Sequence, residues 1–249
     1  MSLWKGKKVC FLGDSITEGV GVNVEDTYWK ELERNVGIVP YSYGVSGAKV
    51  CDLIGQAEMA SKEVGKDADA VFIFAGTNDF FLNTPVGEWY AESEKAVTAT
   101  HDADGNPVNE TRRYREFVFD VGTYKGSINC LMSRIREYFP TAQIVIMTPI
   151  HRAFATFGPY NIQYSEMYSN SAGLFFDEYV SVIKEASGIW ATELIDLYSV
   201  SGFFPLNDDN AEAYFCSTET DRLHPNAEGH RRMARIIKQR LAVIPVFDK

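Results

Sequence analysis

Nowhere does the chain reach the roughly 18 to 20 consecutive apolar residues that a membrane helix needs, so no membrane span is expected. It also has no Lys/Arg run: 24 basic residues stand against 34 acidic ones, a formal net charge of −10 over 249 residues. Nucleic acid and anionic membrane surfaces call for a basic face, so neither is expected as a partner. Cysteine is scarce. Cys10, Cys51, Cys130 and Cys216 are scattered without C-x-x-C spacing, and they read as buried thiols acting as small hydrophobes in place of a disulfide framework, a weak pointer to a reducing compartment. His101, His151, His224 and His230 lack metal-ligand spacing, so neither a metal nor a cofactor is expected. Met1 to Lys8 holds no apolar segment of signal-peptide type, and the compartment stays open between cytoplasm and export. Repeats, low-complexity tracts and Gly/Ser linkers are missing too, so residues 1–249 read as one domain.

What is present is an ordinary globular composition, 45% hydrophobic with 19 Gly and 9 Pro. A chain of this length buries roughly three quarters of its unfolded surface, enough for a substantial core. Short apolar runs at Val9 to Leu12, Pro40 to Tyr43, Ala70 to Ala75, Gln143 to Met147 and Glu193 to Leu197 alternate with helix-like stretches near 26–36, 50–64, 121–139, 166–187 and 226–242. Continuous apolar strands suit a parallel sheet covered on both faces, and the alternation predicts right-handed βαβ units in a doubly wound α/β fold. Residues 80–121 break the pattern. There Asp102-Ala103-Asp104-Gly105-Asn106 lies between Val97 to Thr100 and Tyr114 to Phe119, which predicts an inserted β-hairpin. A calcium loop is excluded by the carboxylate spacing and by Arg113 at its twelfth position.

In an open parallel sheet, ligands bind outside the carboxyl ends of the strands. Three glycine-bearing turns follow the first three strands: Gly13-Asp14-Ser15, Gly44-Val45-Ser46-Gly47 and Gly76-Thr77-Asn78-Asp79. Asp221-Arg222-Leu223-His224-Pro225 precedes the last helix, in a loop placed to bring His224 to the same edge. A serine hydroxyl becomes nucleophilic when a base removes its proton, and an aspartate three residues before a histidine can orient that base. The oxyanion of acyl transfer needs waiting donors, for which the N–H groups of Gly47 and Ser15 and the amide of Asn78 are candidates. Taken singly, Gly-Asp-Ser is common turn chemistry, the Thr77-Asn78-Asp79 turn could cap a helix, and His224 could be an ordinary surface histidine. Their order and their strand-end positions are more specific than any member. Gly19-Val20-Gly21 lacks the third glycine of a dinucleotide fingerprint, because position 24 is Val24.

These four blocks, with the continuation Asn226-Ala227-Glu228-Gly229-His230, resemble the SGNH (GDSL-type) hydrolases. The resemblance implies a three-layer α/β/α sandwich around a mainly parallel five-stranded, flavodoxin-like sheet. It also implies Ser15 as nucleophile, His224 as base oriented by Asp221, and Gly47 and Asn78 as oxyanion donors. Two positions depart from the family pattern: Ile16 stands for the leucine of the eponymous motif, and Ser42 for an asparagine often found before the second block.

The expected activity is that of a metal-independent carboxylic ester hydrolase working through an acyl-enzyme. Substrate contacts are expected from Asp14, His151, Arg152 and Tyr160, with Trp89, Tyr90, Tyr114, Phe154 and Phe157 as further lining candidates. Aromatic faces near Arg and His suit sugars, so short acyl groups such as acetyl on a carbohydrate are favoured. A lysophospholipase or thioesterase, and a non-catalytic glycan-binding module on the same fold, stay open as alternatives. The hairpin reads either as a lid or as an oligomer contact.

Overall fold

The computed structural model describes residues 3–246. In chain order its elements are β1 (Lys8–Gly13), α1 (Ser15–Glu18), α2 (Tyr28–Val36), β2 (Val39–Ser42), α3 (Leu53–Val64), β3 (Ala70–Phe74), α4 (Thr77–Phe81), β4 (Tyr90–His101), β5 (Pro107–Phe117), α5 (Tyr124–Tyr138), β6 (Gln143–Met147), β7 (Ala155–Thr156), β8 (Ile162–Gln163), α6 (Phe176–Ile189), β9 (Glu193–Ile195), α7 (Leu197–Val200), α8 (Asp208–Tyr214), β10 (Phe215–Ser217), β11 (Asp221–Pro225) and α9 (Ala227–Leu241). Short 3-10 turns precede α2 and flank α3. Among the described residues, no helix is long and apolar enough to cross a membrane.

The five apolar runs form one parallel sheet in the order β2-β1-β3-β6-β9, the flavodoxin-like arrangement. Side chains alternate across a strand, so a strand covered on both faces must be apolar throughout. Val71, Ile73, Ile144 and Ile146 meet α3, α5 and α6 in one layer, whereas Ala70, Phe72, Phe74 and Val145 meet α2 and α9 in the other. Cys10 faces the first layer, and burial pushes its thiol up to about 12. All four cysteines are free, and the other three are half-buried.

Three expectations differ from what is observed. The helix expected from residue 166 begins only at Phe176. Asn170 explains the delay, because its Oδ1 accepts the N–H groups of Ala172 and Leu174 at 3.0 and 3.1 Å while its Nδ2 donates to Phe80 O. A side chain that satisfies nearby backbone in this way competes with helix formation. The hairpin is longer than its β-prone flanks suggested: β4 and β5 span 12 and 11 residues, forming a two-stranded sheet of their own. Asp102 accepts the Asp104 and Asn106 N–H groups at the turn, Glu92 pairs across the ladder with Arg113 and Arg115, and Phe117 stacks on Trp190 at the base. Finally, Asp221–Pro225 is a strand, not a loop. It belongs to a second, antiparallel sheet, β10-β11-β7-β8, in which Asp221 pairs with Ala155.

The second and third glycine turns are tied by Asp79. It is fully buried, and its Oδ2 accepts the Val50 N–H at 3.0 Å. Its Oδ1 has no hydrogen-bond partner, and burial raises the carboxyl from 3.8 to about 7.

Phe72 lies 5.2 Å from Phe11 and 6.0 Å from Trp4, ring to ring, so Phe72→Ala should cost about 3–5 kcal/mol in urea unfolding. A loss below about 1 kcal/mol would contradict the packing described. Asp79 holds its proton in the fold at pH values where the unfolded chain releases it. Its stability contribution is therefore full below about pH 4, falls as pH rises through about 7, and is flat above. Asp79→Asn keeps an acceptor for Val50 and removes the ionisation. The variant's Tm relative to wild type should rise between pH 4.5 and 8, and an unchanged difference would refute the assignment.

Candidate active site

The parallel register ends β1 and β3 side by side, with Gly13 opposite Phe74, and this fixes where the first turn begins. Gly13 is then clamped by one side chain: Gln56 Oε1 accepts the Gly13 N–H and Gln56 Nε2 donates to the Gly13 carbonyl, both at 2.8 Å. Next, Asp14 caps α1 by accepting the Ile16 N–H at 3.0 Å, which leaves Ser15 in the helix's first turn. Burial pushes the Asp14 carboxyl up to about 6, against the stabilising Ile16 N–H.

Gly44 brings the second turn against the first. A Cβ there would lie 2.4 Å from the Glu18 nitrogen, so only glycine allows this approach. Val45 N–H then donates to the Gly13 carbonyl at 3.2 Å, and Ser46 N–H to Glu18 Oε2 at 2.6 Å. Ser42, at the family-variant position, sits 3.5 Å from Thr17 O, a marginal contact. Gly47 has φ +80° and lies exposed. No hydrogen-bond acceptor among the described residues engages its N–H. The third turn joins the second where Asn78 Nδ2 donates to the Ala48 carbonyl at 3.0 Å.

The last component arrives on β11. His224 Nε2 lies 2.9 Å from Ser15 Oγ, across 209 residues of chain, and His224 Nδ1 lies 2.9 Å from Asp221 Oδ2. The other Asp221 oxygen accepts the Leu223 and His224 N–H groups at 3.1 and 3.0 Å, which fixes the carboxylate against its own strand. With the Nδ1 proton directed at Asp221, Nε2 is left to accept from the serine hydroxyl. Ser15 and His224 are only 5% and 4% exposed, so their contact is largely shielded from water. Asn226, the N-cap of α9, accepts the Gly229 N–H, so the final helix starts directly behind the histidine.

The residues expected to face substrate divide. Tyr160 is fully exposed at the tip between β7 and β8, and Phe157 in the same loop lies 5.3 Å from the His224 ring, centroid to centroid. His151 stacks on Tyr198 at 3.7 Å and meets Glu166 Oε1 at 2.6 Å. Asp14 and Arg152, by contrast, are enclosed, 2% and 1% exposed, with Asp14 Oδ1 accepting the Ile16 N–H and Arg152 Nη2 donating to Gln163 Oε1. Of the remaining aromatics, Trp89 is buried and donates to Glu185, Tyr90 packs on Phe117, Tyr114 lies under Lys95, and Phe154 under Arg222. The sequence reading missed Gln56, whose one signal was a polar residue on the apolar face made by Leu53, Ala57 and Ala60.

Comparison with solved structures places the fold. The chain is similar to a protein from Lactobacillus plantarum (22% identity, 95% of this chain and 97% of that one, TM-score 0.69). It is also similar to a possible lipase from Chitinophaga pinensis (20%, 93% and 96%, TM-score 0.64) and to the lipase/acylhydrolase of Enterococcus faecalis (18%, 95% of each chain, TM-score 0.57). No curated protein sequence matches the chain. Residues 11–232, running from β1 into α9, match the model of the GDSL-like lipase/acylhydrolase family, and the chain belongs to that family of hydrolases.

Proposed function

We propose that the protein is a metal-independent serine esterase acting on short-acyl esters, with acetylated carbohydrate as the favoured substrate class. The observation that carries this reading is the line from Ser15 Oγ through His224 to Asp221, with 2.9 Å at each step. Ser15 attacks the ester carbonyl as His224 takes its proton. His224 then returns that proton to the departing alcohol, and water repeats the cycle on the acyl-enzyme. Asp221 orients the ring and stabilises its charged form. The oxyanion is met by the Gly47 N–H, the Ser15 N–H and the second amide hydrogen of Asn78, whose first is held by Ala48 O.

The substrate reading rests on the surroundings. Phe157 beside His224, and Tyr160 in the same loop, offer exposed aromatic faces suited to the C–H faces of a sugar. An open groove of about 480 Å³ borders Gly47, lined by Val45, Ala48, Gln56 and Met59 among others.

Hydrolysis of p-nitrophenyl acetate and octanoate, with EDTA present, tests both parts. Wild type should turn over acetate faster than octanoate, and Ser15→Ala should abolish turnover. Faster octanoate hydrolysis would move the reading to lysophospholipid or thioester substrates. Turnover that survives Ser15→Ala would remove the serine mechanism, and no turnover by wild type would favour a glycan-binding module. Asn78→Ala should lower kcat about 10²- to 10³-fold, and near-normal kcat would remove Asn78 from the oxyanion site.

A further inference from the structure

Among the described residues Arg152 is the most buried arginine or lysine, 1% exposed, and none of their carboxylates forms an ion pair with it. A buried charge is expensive unless other groups satisfy it. Its Nη2 donates to Gln163 Oε1 at 2.9 Å and approaches Tyr164 O at 3.4 Å. Its Nη1 lies 3.4 Å from Thr77 O, and the guanidinium stands 5.6 Å above the Phe80 ring. Nε has no hydrogen-bond partner. Burial lowers its pKa only to about 10, so it is charged at neutral pH.

The position of this side chain matters more than its charge. The segment it grows from is stitched to the strand that carries Asp221 and His224: Ala153 N–H donates to Arg222 O, Arg222 N–H to Phe154 O, and Thr156 N–H to Thr220 O, at 2.8 to 3.1 Å. Glu166 fixes the Arg152 backbone by accepting its N–H at 3.0 Å. The far end of the side chain reaches the carbonyl of Thr77, one residue before Asn78. Arg152 thus spans two parts of the site that β-sheet pairing does not connect: the arm bearing the base and the turn bearing the amide donor.

We propose that Arg152 is a positioning residue that sets the Thr77–Asn78 turn relative to the Asp221–His224 arm. The proposal rests on the reading of Asn78 as an oxyanion donor. A planar fork can hold the Gln163 side chain and the Thr77 carbonyl together, whereas a lysine ammonium cannot reproduce that geometry. Misplacement of a catalytic group by about 1 Å can cost on the order of 10²-fold in rate.

A double-mutant cycle on p-nitrophenyl acetate tests this, with folding checked by circular dichroism. Arg152→Met should lower kcat about 10- to 10²-fold with KM nearly unchanged, and Arg152→Lys should not restore it. In an Asn78→Ala background, Arg152→Met should cost little more, because the group it positions is already gone. Additive losses, a change confined to KM, or rescue by Arg152→Lys would each overturn the positioning role and leave the Asn78 reading intact. Near-normal kcat in Asn78→Ala alone would remove the oxyanion reading, and this role with it. If Arg152→Met does not fold, Gln163→Ala keeps the guanidinium and removes one anchor of the fork. It should show the same kcat loss and the same non-additivity with Asn78→Ala, and unchanged kcat there would overturn the proposal.

Discussion

At Gly44 two stretches of backbone meet with nothing between them. The second turn lies against Thr17 and Glu18 so closely that a single methyl group would fall 2.4 Å from one nitrogen and 2.7 Å from one carbonyl carbon. Everything at the crevice inherits its spacing from that contact. Because the turns touch, Val45 reaches the Gly13 carbonyl and Ser46 reaches Glu18, and these bonds set the orientation of Gly47. Asn78 then holds the next residue, Ala48. The first turn is itself immobilised from behind by Gln56, which satisfies both backbone groups of Gly13 at once. A buried amide making two such bonds has little freedom to rotate, since each lost bond would leave an unpaired polar group. The serine is therefore held by packing and hydrogen bonds that involve none of its own chemistry.

The interior around the crevice is electrostatically unusual. Asp14 and Asp79 are buried carboxyls whose ionisation is opposed mainly by lost hydration. Arg152 is a buried cation whose field reaches Asp14. Charges in such a setting interact more strongly than on a wet surface. His230 belongs to the same interior: burial lowers it to about 4, and as a neutral ring its Nδ1 accepts the Tyr28 N–H at 3.2 Å. That bond ties α9 to α2, and so joins the helix behind His224 to the layer beneath Ser15.

Much of this was legible in the sequence because the signals were local. Ala70–Phe74 and Gln143–Met147 are apolar throughout, as strands covered on both faces must be, and the observed bounds match the reading to within a residue. The glycine turns announced themselves by position at strand ends. What escaped the reading was set by distant partners. Asp221–Pro225 has no strand-like composition, and it becomes a strand because Phe215–Ser217 lies on one side of it and Ala153 to Ala155 on the other. Ala91 to Lys95 of β4 and Asn109 to Arg113 of β5 are almost entirely polar, so these parts of the hairpin carried no apolar period to read. Arg152 shows the same limit from the other side: residue type suggested an open position, whereas three carbonyl oxygens from Thr77, Gln163 and Tyr164 enclose it.

The distance between Ser15 and His224 along the chain has a consequence for biosynthesis. A protein leaves the ribosome from its N-terminus, so β1 and the turn bearing Ser15 are made first, while His224 follows 209 residues later. A nascent chain thus carries Ser15, and Gln56 that clamps the neighbouring Gly13, long before His224, its proposed base, has been made. The parallel sheet can assemble through β9 in that interval, because none of its five strands lies beyond Ile195. The second sheet and α9 close the site afterwards. On the proposed mechanism, Ser15 has no His224 to take its proton until the two ends of the chain have met.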